Sequence, residues 1–378
     1  MAPPGGDAVK GNARHMASND AAAPWLRLYF RSERAGITSD LTGRLVEFIA
    51  ETQRSLDCAI YDVRHPRVIE ALQAVARSGK QLRIAYDASK ERLGGLSGDP
   101  KPEGVEKALG AAGLLPYATP VHNSGHLMHN KFLIRDGATL WTGSANFTVG
   151  GLEKQDNNCP TLRDQGIIAQ YDVIFTELLS GQHSHSRRYS TLEAAHLQTI
   201  QAGAPPSVVS AFFSPSEGEW IEQTISQALN AARRVRVMAF LIGDAGILSA
   251  LARFSDPSAD IQGVIDPHGM QDVLRYRDVN SPEYWFMRDR RFVAAPSHAF
   301  NPHTEQDFMH NKVMILDDHL VVTGSFNFSE NAELNDENLL ILNSKQVAAA
   351  YTSYFDRLYA AYGGKVGAQT GAGARAAR

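Results

Sequence analysis

Met128-His129-Asn130-Lys131 and Met309-His310-Asn311-Lys312 spell the same tetrapeptide twice, 181 residues apart. Each copy is followed by a GSxN: Gly143-Ser144-Ala145-Asn146 in the first, Gly324-Ser325-Phe326-Asn327 in the second, with 17 residues from each His to each Asn. The set is an imidazole, an ammonium, an amide and a hydroxyl, supplied in duplicate. Ammonium and amide N–H groups gathered together are donors suited to an anion, and an imidazole can attack or move a proton near neutral pH. Two copies give one histidine to attack and another to protonate a leaving group. No Ser-His-Asp or Cys-His order is visible, so phosphodiester chemistry fits better than acyl transfer. Lysine does not usually ligate metal and no carboxylate cluster is apparent, so the site is expected to need no metal and no other cofactor.

Such a site needs elements to aim it. KFLI and KVMI are short β-rich runs, which places both HxK motifs on strands. Residues i and i+2 of a strand share a face, so His129 and Lys131 point together, as do His310 and Lys312, while Asn130 and Asn311 face away. Asp136-Gly137 is a hairpin-turn signal matched by Asp317-Asp318, and LWTGSAN and VVTGSFN return as partner strands. The duplication runs further. Phe147 matches Phe328, and Asp156-Asn157 aligns with Glu337-Asn338. Tyr171-x3-Phe175-x2-Leu178 recurs as Tyr351-x3-Phe355-x2-Leu358 with the offset slipped to 180. Upstream, LRIAYD (82–87) answers IQGVID (261–266), and LYF (28–30) answers AFF (211–213). Leu41, Leu45, Val46 and Ile49 keep helical spacing behind the capping candidates Thr38-Ser39-Asp40; Trp220, Ile221, Ile225, Ala228, Leu229 and Ala232 do the same in the second half. Strands alternating with helices of this length indicate α/β layers.

Composition sets the outer limits. The 378 residues are 43% hydrophobic, enough for two ordinary domains or one large one. A formal charge of −4, from 37 Lys+Arg against 41 Asp+Glu, excludes a global basic field, so anion affinity must be local. Cys58 and Cys159 show neither ligand spacing nor a disulfide framework, and Cys58 reads as inert packing. Residues 1–23 read as a disordered arm without the apolar region of a secretory signal, and no window reaches the length of a membrane span. A cytoplasmic protein is therefore expected, and a monomer, because the duplication already supplies both half-sites and no homodimer is needed to complete one. The expected division is a first lobe at 24–190, a linker at 191–207, a second lobe at 208–362 and a flexible tail at 363–378.

HxK-x4-D, present as His129-Lys131-Asp136 and His310-Lys312-Asp317 and followed by GSxN, resembles the phospholipase D superfamily; the wider repeat covers roughly 26–360. The resemblance implies two similar α/β lobes, each a mostly mixed sheet flanked by helices, related by a pseudo-two-fold axis with one active site between them. It implies that one histidine forms a phosphohistidine while the other protonates the leaving oxygen and then activates water. Family precedent favours His129 for attack and His310 for acid/base work. Lys131, Lys312, Asn146 and Asn327 would hold the non-bridging oxygens, assisted by Ser144 and Ser325. Asp156 and Glu337 match the acid that orients each histidine, Asp156 being shorter than the family's usual Glu. Asp136 and Asp317 are assigned to turn and scaffold.

The substrate is less tightly specified. TGSFNFSENAELNDEN resembles the bacterial endonuclease branch, which makes nucleic acid the expected substrate; a glycerophospholipid is the alternative, and a non-catalytic scaffold the third reading. Between Asp266 and His310, Arg275, Arg277, Arg288, Arg290 and Arg291 interleave with Tyr276, Tyr284, Trp285 and Phe286. Arg288 and Trp285 of this insert are candidates for phosphate and base contact, although a lipid-facing patch or a plain surface helix has the same composition. His122, His126, His183 and His185 read more simply as lead-in and linker residues than as metal ligands.

Overall fold

The computed structural model of the chain describes residues 25–88, 104–123, 125–181, 198–200, 207–275, 277–298 and 304–365. The expected arm at 1–23, all but Gln198–Ile200 and Ser207 of the 191–207 linker, the tail beyond 365, and His183, His185 and Tyr276 lie outside the described residues.

Two eight-stranded mixed sheets repeat one topology. The first has β1 (Leu26–Ser32), β2 (Ile37–Thr38), β3 (Ser55–Ile60), β4 (Gln81–Asp87), β5 (Ala118–Val121), β6 (Lys131–Arg135), β7 (Thr139–Trp141) and β8 (Asn157–Leu162), in the order β2-β1-β8-β7-β6-β3-β4-β5. The second has β9 (Gln198–Ile200), β10 (Ser207–Ser214), β11 (Arg234–Ala239), β12 (Asp260–Ile265), β13 (Phe292–Ala294), β14 (Lys312–Leu316), β15 (Leu320–Gly324) and β16 (Glu337–Asn343), in the order β9-β10-β16-β15-β14-β11-β12-β13. In each, three parallel strands on one side (β3-β4-β5, β11-β12-β13) meet an antiparallel run on the other. The HxK lysine opens the strand at that junction, β6 or β14.

Alternation along the strands divides the apolar residues between faces. Leu28 and Phe30 of β1, with Phe132 and Ile134 of β6, enter a core shared by both lobes, whereas Tyr29 and Leu133 face the outer core of the first lobe. The shared core also takes helices Gln165–Ser180 and Lys345–Ala361, one from each lobe. Its aromatic contacts are reciprocal: Phe30 packs edge-on against Tyr351 at 4.9 Å between centroids, and Tyr171 against Phe213 at 4.8 Å. On the outer face the expected first helix runs Leu41–Ala50, its N-terminus capped by Asp40 accepting the Gly43 N–H at 2.7 Å. Its counterpart, Gly218–Ala231, buries Ile221, Ile225 and Leu229 and leaves Trp220 exposed. Cys58 and Cys159 are buried in the outer core of the first lobe, where burial pushes the Cys159 thiol up to about 12. Among the described residues no helix is long and apolar enough to cross a membrane.

Candidate active site

His129 stands two residues before β6 rather than on it, in an extended segment that pairs with the other lobe. Its N–H donates to the Asp336 carbonyl at 2.9 Å, and the Asp336 N–H donates to Leu127 O at 2.8 Å. The same exchange is made in reverse: His310 N–H to Asp156 O at 3.0 Å, and Asp156 N–H to Phe308 O at 3.0 Å. Each histidine is thus set by the opposite lobe, which places both at the lobe interface. The aspartates ending LRIAYD and IQGVID complete the seating: Asp87 accepts the Met128 N–H at 2.9 Å and Asp266 the Met309 N–H at 3.0 Å.

The central residue of each HxK has a task that spacing alone did not reveal. Asn130 and Asn311 do turn away from the lysines, and they join the lobes. Asn338 Nδ2 donates to Asn130 Oδ1 at 2.8 Å, and Asn158 Nδ2 to Asn311 Oδ1 at 2.9 Å. Thr142 and Tyr171 donate to Asn338 Oδ1, while Thr323 and Tyr351 donate to Asn158 Oδ1, all between 2.8 and 3.1 Å. The GSxN segments support this lattice. Asn158 N–H donates to Ser144 Oγ and Asn338 N–H to Ser325 Oγ, so the two serines, expected to touch substrate, brace the following strand. A Cβ on Gly143 or Gly324 would sit 2.2 or 2.3 Å from the Asn158 or Asn338 carbonyl, which is why glycine precedes each serine.

The two half-sites differ where it matters for chemistry. In the first, Glu337 of the opposite lobe lies with both carboxylate oxygens 2.7 Å from His129 Nδ1, and both groups are fully buried. A carboxylate can only accept here, so Nδ1 carries the hydrogen and Nε2 keeps its lone pair. Lys131 Nζ donates to the His129 carbonyl at 2.6 Å, and Tyr61 packs edge-on against the imidazole at 4.8 Å. In the second, His310 Nδ1 faces the amide oxygen of Asn157 at 3.2 Å, Lys312 Nζ lies 2.8 Å from Nε2, and Phe240 occupies the place of Tyr61 at 5.4 Å.

Asp156 is therefore not the residue behind a histidine. Its carboxylate accepts from the Tyr362 hydroxyl at 2.6 Å and is pushed up to about 6, chiefly by burial, against the hydrogen bonds from Tyr362 and Ser32. Its structural counterpart is Asp336, since the two make equivalent backbone exchanges, and Asn157 is the counterpart of Glu337. The alignment of Asp156 with Glu337 is one residue out of register. The extra residue of the first lobe is taken up in the π-helical turn Gly150–Lys154, opposite an ordinary α-turn at Glu330–Leu334.

The other expected site residues are placed as follows. Asn146 is half-buried, its Oδ1 without a hydrogen-bond partner among the described residues, and Asn327 is buried. Asp136 and Asp317 sit at the far ends of β6 and β14 and accept backbone N–H groups of 53–55 and 233–234. Arg288 donates to the Val279 carbonyl, and Trp285 packs between Phe292 and the Arg291 guanidinium. None of these contacts reaches a histidine or lysine of the site. Tyr284 and Phe286 are core residues, while Arg275, Arg277 and Arg291 pair with Asp272, Glu330 and Asp289. Among the described residues of the insert, Tyr284, Trp285 and Phe286 pack against one another or against Phe292, and Arg275, Arg277, Arg288 and Arg291 each meet a carboxylate or carbonyl of the protein.

A bilobed α/β protein whose two His–Lys pairs are each completed by the opposite lobe is a composite-site protein built by duplication. The chain belongs to the phospholipase D-like family: the family model described as "Cardiolipin synthase, PLD-like domain" matches residues 45–179 and again 222–359. Among curated relatives, a mitochondrial cardiolipin hydrolase of Xenopus laevis is 31% identical over 141 residues, 37% of this chain and 62% of that protein. A phospholipase D of Rickettsia conorii is 26% identical over 190 residues, 49% of this chain and 84% of that protein. The chain spans about three-fifths of the length of the cardiolipin hydrolases of both Xenopus species it matches, 62% in each case. The fold is shared with phosphatidylserine synthase of Haemophilus influenzae Rd KW20, at a TM-score of 0.60 and 12% identity over 89% of this chain and 86% of that one.

Proposed function

We propose that the chain is a metal-independent phosphodiesterase that works through a covalent phosphohistidine on His129. The observation that carries this reading is the buried Glu337 carboxylate on His129 Nδ1. It leaves Nε2 as the attacking atom and offsets the positive charge the ring acquires when Nε2 bonds to phosphorus. A hydrogen bond to a charged partner is worth about 1.5–3 kcal/mol against about 0.5–1.5 for a neutral one. His129 is thus favoured over the amide-backed His310 as the atom that holds the phosphoryl group. His310 protonates the leaving oxygen and then takes a proton from the attacking water. Lys131 and Lys312 supply the cations for the non-bridging oxygens, and Asn146 and Asn327 the amide donors. The donor set is imidazole, ammonium and amide, and the carboxylate at hand is engaged with a histidine, so the chemistry asks nothing of a metal.

Nucleic acid is the first substrate reading, supported by the resemblance of residues 323–338 to the endonuclease branch. A glycerophospholipid is the second, favoured by the names of the cardiolipin hydrolase and phospholipase D relatives. The test uses single- and double-stranded DNA, RNA, and vesicles of phosphatidylcholine and cardiolipin, each assayed for product. Cleavage of a chromogenic phosphodiester should persist in excess EDTA and fall at least about 1,000-fold in both His129→Ala and His310→Ala. Loss on chelation would overturn the metal-free mechanism; headgroup release with nucleic acids intact would replace the first substrate by the second.

A further inference from the structure

A second cluster of cations lies on the outer face of the first sheet, at the end of the strands away from the histidines. Strands β1, β8, β7 and β6 run side by side there in a fixed register. Arg163 N–H donates to the Trp25 carbonyl at 2.8 Å, Thr161 pairs with Arg27 and Trp141, and Thr139 pairs with Arg135. One row across the sheet therefore reads Trp25, Arg163, Thr139 and Arg135, and the next row inward reads Arg27, Thr161 and Trp141. Helix Leu41–Ala50 closes one side: its Arg44 and Glu47, with Glu51 just beyond it, line a groove against these rows, together with Tyr29 and Trp141 stacked at 5.5 Å. Four residues at about 3.3 Å each separate Arg135 from Lys131 along β6, so the groove opens roughly 13 Å along the strand from the HxK lysine.

Four guanidiniums meet two carboxylates in this groove. Arg44 pairs with Glu47 at 3.2 Å and Arg135 with Glu51. Arg27 and Arg163 are exposed and have no ion pair among the described residues. They stand diagonally on adjacent strands, about 7–8 Å apart, where like charges repel. Trp25, in the same wall, is 7% exposed, and its buried Nε1 has no hydrogen-bond partner among the described residues. A buried N–H left unpaired is costly, so an acceptor in the groove would relieve it. The duplication supplies a control. The equivalent rows of the second sheet hold Val208, Asn343, Leu320 and Leu316, then Ser210, Ile341 and Val322. None of these is charged, so the topology forms without the four arginines and packing does not account for them.

We propose that this groove is a binding site for a phosphate dianion, distinct from the site between the lobes. Guanidinium forks match phosphate oxygens through paired, parallel hydrogen bonds. Arg27 and Arg163 leave two positive charges without a partner carboxylate, which one dianion offsets and a single carboxylate or chloride does not. Thr161 stands directly opposite Arg27, and Thr139 is the neighbour of Arg163 in the next strand, so hydroxyl donors lie beside both forks for the remaining oxygens. The groove is open to solvent at its exposed arginines, so a phosphate can enter without moving the sheet. The proposal stands apart from the phosphodiesterase reading, because none of these residues belongs to the HxK or GSxN segments.

The tryptophans provide the readout. The full-length protein with 15N-labelled tryptophan gives four indole N–H signals, and Trp25→Phe identifies the one in the groove wall. Inorganic phosphate, added at pH 8 and constant ionic strength, should move the Trp25 signal along a saturating curve with a midpoint below about 1 mM. Arg27→Ser and Arg163→Asn install the residues of the second lobe at exposed positions. Each should weaken binding about tenfold and the two together about 100-fold, the loss expected for charge-assisted hydrogen bonds, with the circular dichroism spectrum unchanged. His129→Ala with His310→Ala should bind phosphate at Trp25 as tightly as wild type. Wild type showing no saturable movement would sink the proposal, as would a double arginine variant that binds equally well. Acetate acting with the affinity of phosphate would show a site for any anion and overturn the assignment to a dianion. Loss of the Trp25 response in the histidine variant would transfer the binding to the lobe interface and leave the groove without a ligand.

Discussion

Asp156 shows how a single buried carboxyl couples the lobe interface to pH. Its backbone holds His310 and Phe308 of the second lobe, while its side chain meets Tyr362 at the end of the last helix. With a folded value of about 6, set first by burial, against roughly 3.9 when unfolded, the fold prefers the neutral acid. The sign follows: this group's contribution to stability is full below about pH 4 and is lost as pH rises through about 6. Asp156→Asn keeps the shape and removes the titration. Relative to wild type the variant should therefore gain stability between pH 4 and pH 7, by at most about 3 kcal/mol. Urea midpoints of the two proteins across that range measure it, and a difference that stays flat would show that Asp156 does not titrate with folding.

At the scale of elements, β6 and β14 hold the HxK lysines at one end and the turn aspartates at the other. Asp136 and Asp317 complete the HxK-x4-D spacing, yet five strand residues at about 3.3 Å each put Asp136 roughly 16 Å beyond Lys131. Asp136 has a positive φ of 57° at the turn, and its carboxylate gathers the N–H groups of Gln53, Arg54 and Ser55. Partial burial pushes its carboxyl up, but those three bonds outweigh it and hold the group below its ordinary range. Its contribution is thus present above about pH 4 and is lost as pH falls through the depressed value. Asp136→Ala should cost about 1 kcal/mol at pH 7, on the scale of a lost helix cap, with kcat per folded molecule kept within about twofold. A large fall in kcat at unchanged stability would move Asp136 from scaffold to chemistry. The placement of each lysine and its turn aspartate at opposite ends of one strand was legible in the sequence, because a strand period and a turn signal are local. The shared topology was legible too, since the repeat gives both sheets one pattern. The partner of His310 was not. Gapless alignment carries the 181 offset to Asp156, while the later Tyr171–Tyr351 match already shows it slipped to 180. Only the π-helical turn says where the slip falls, and one residue exchanges a carboxylate for an amide. The internal pairing of Arg277 and Arg291 was equally hidden, because Glu330 and the carbonyls of 254–259 are distant in sequence or carry no side-chain signature.

For the whole molecule, duplication has produced one cooperative unit rather than two lobes in tandem. Phe30, Tyr171, Phe213 and Tyr351 pack across the lobes fully or nearly fully buried, and at about 2 kcal/mol each their burial rivals the 5–15 kcal/mol by which a whole domain is stable. The asparagine lattice adds directionality, since Asn158 and Asn338 each satisfy three buried groups of the opposite lobe. One lobe unfolding alone would strand all of these and leave the other lobe's histidine without its partner. Urea unfolding should accordingly show a single transition. The tryptophans give the means to check, with Trp25 and Trp141 in the first lobe and Trp220 and Trp285 in the second. Fluorescence curves from a variant with Trp220→Phe and Trp285→Phe should superimpose on those from one with Trp25→Phe and Trp141→Phe, once each is referred to its own stability by circular dichroism. Asn338→Ala should lower the midpoint by the equivalent of about 2–4 kcal/mol, because it leaves the Thr142 and Tyr171 hydroxyls and the Asn130 amide oxygen buried without a partner. Two well-separated transitions in the unaltered lattice would mean that the interface is a contact between independent domains, and the composite site would then form and dissolve with their docking rather than with the fold.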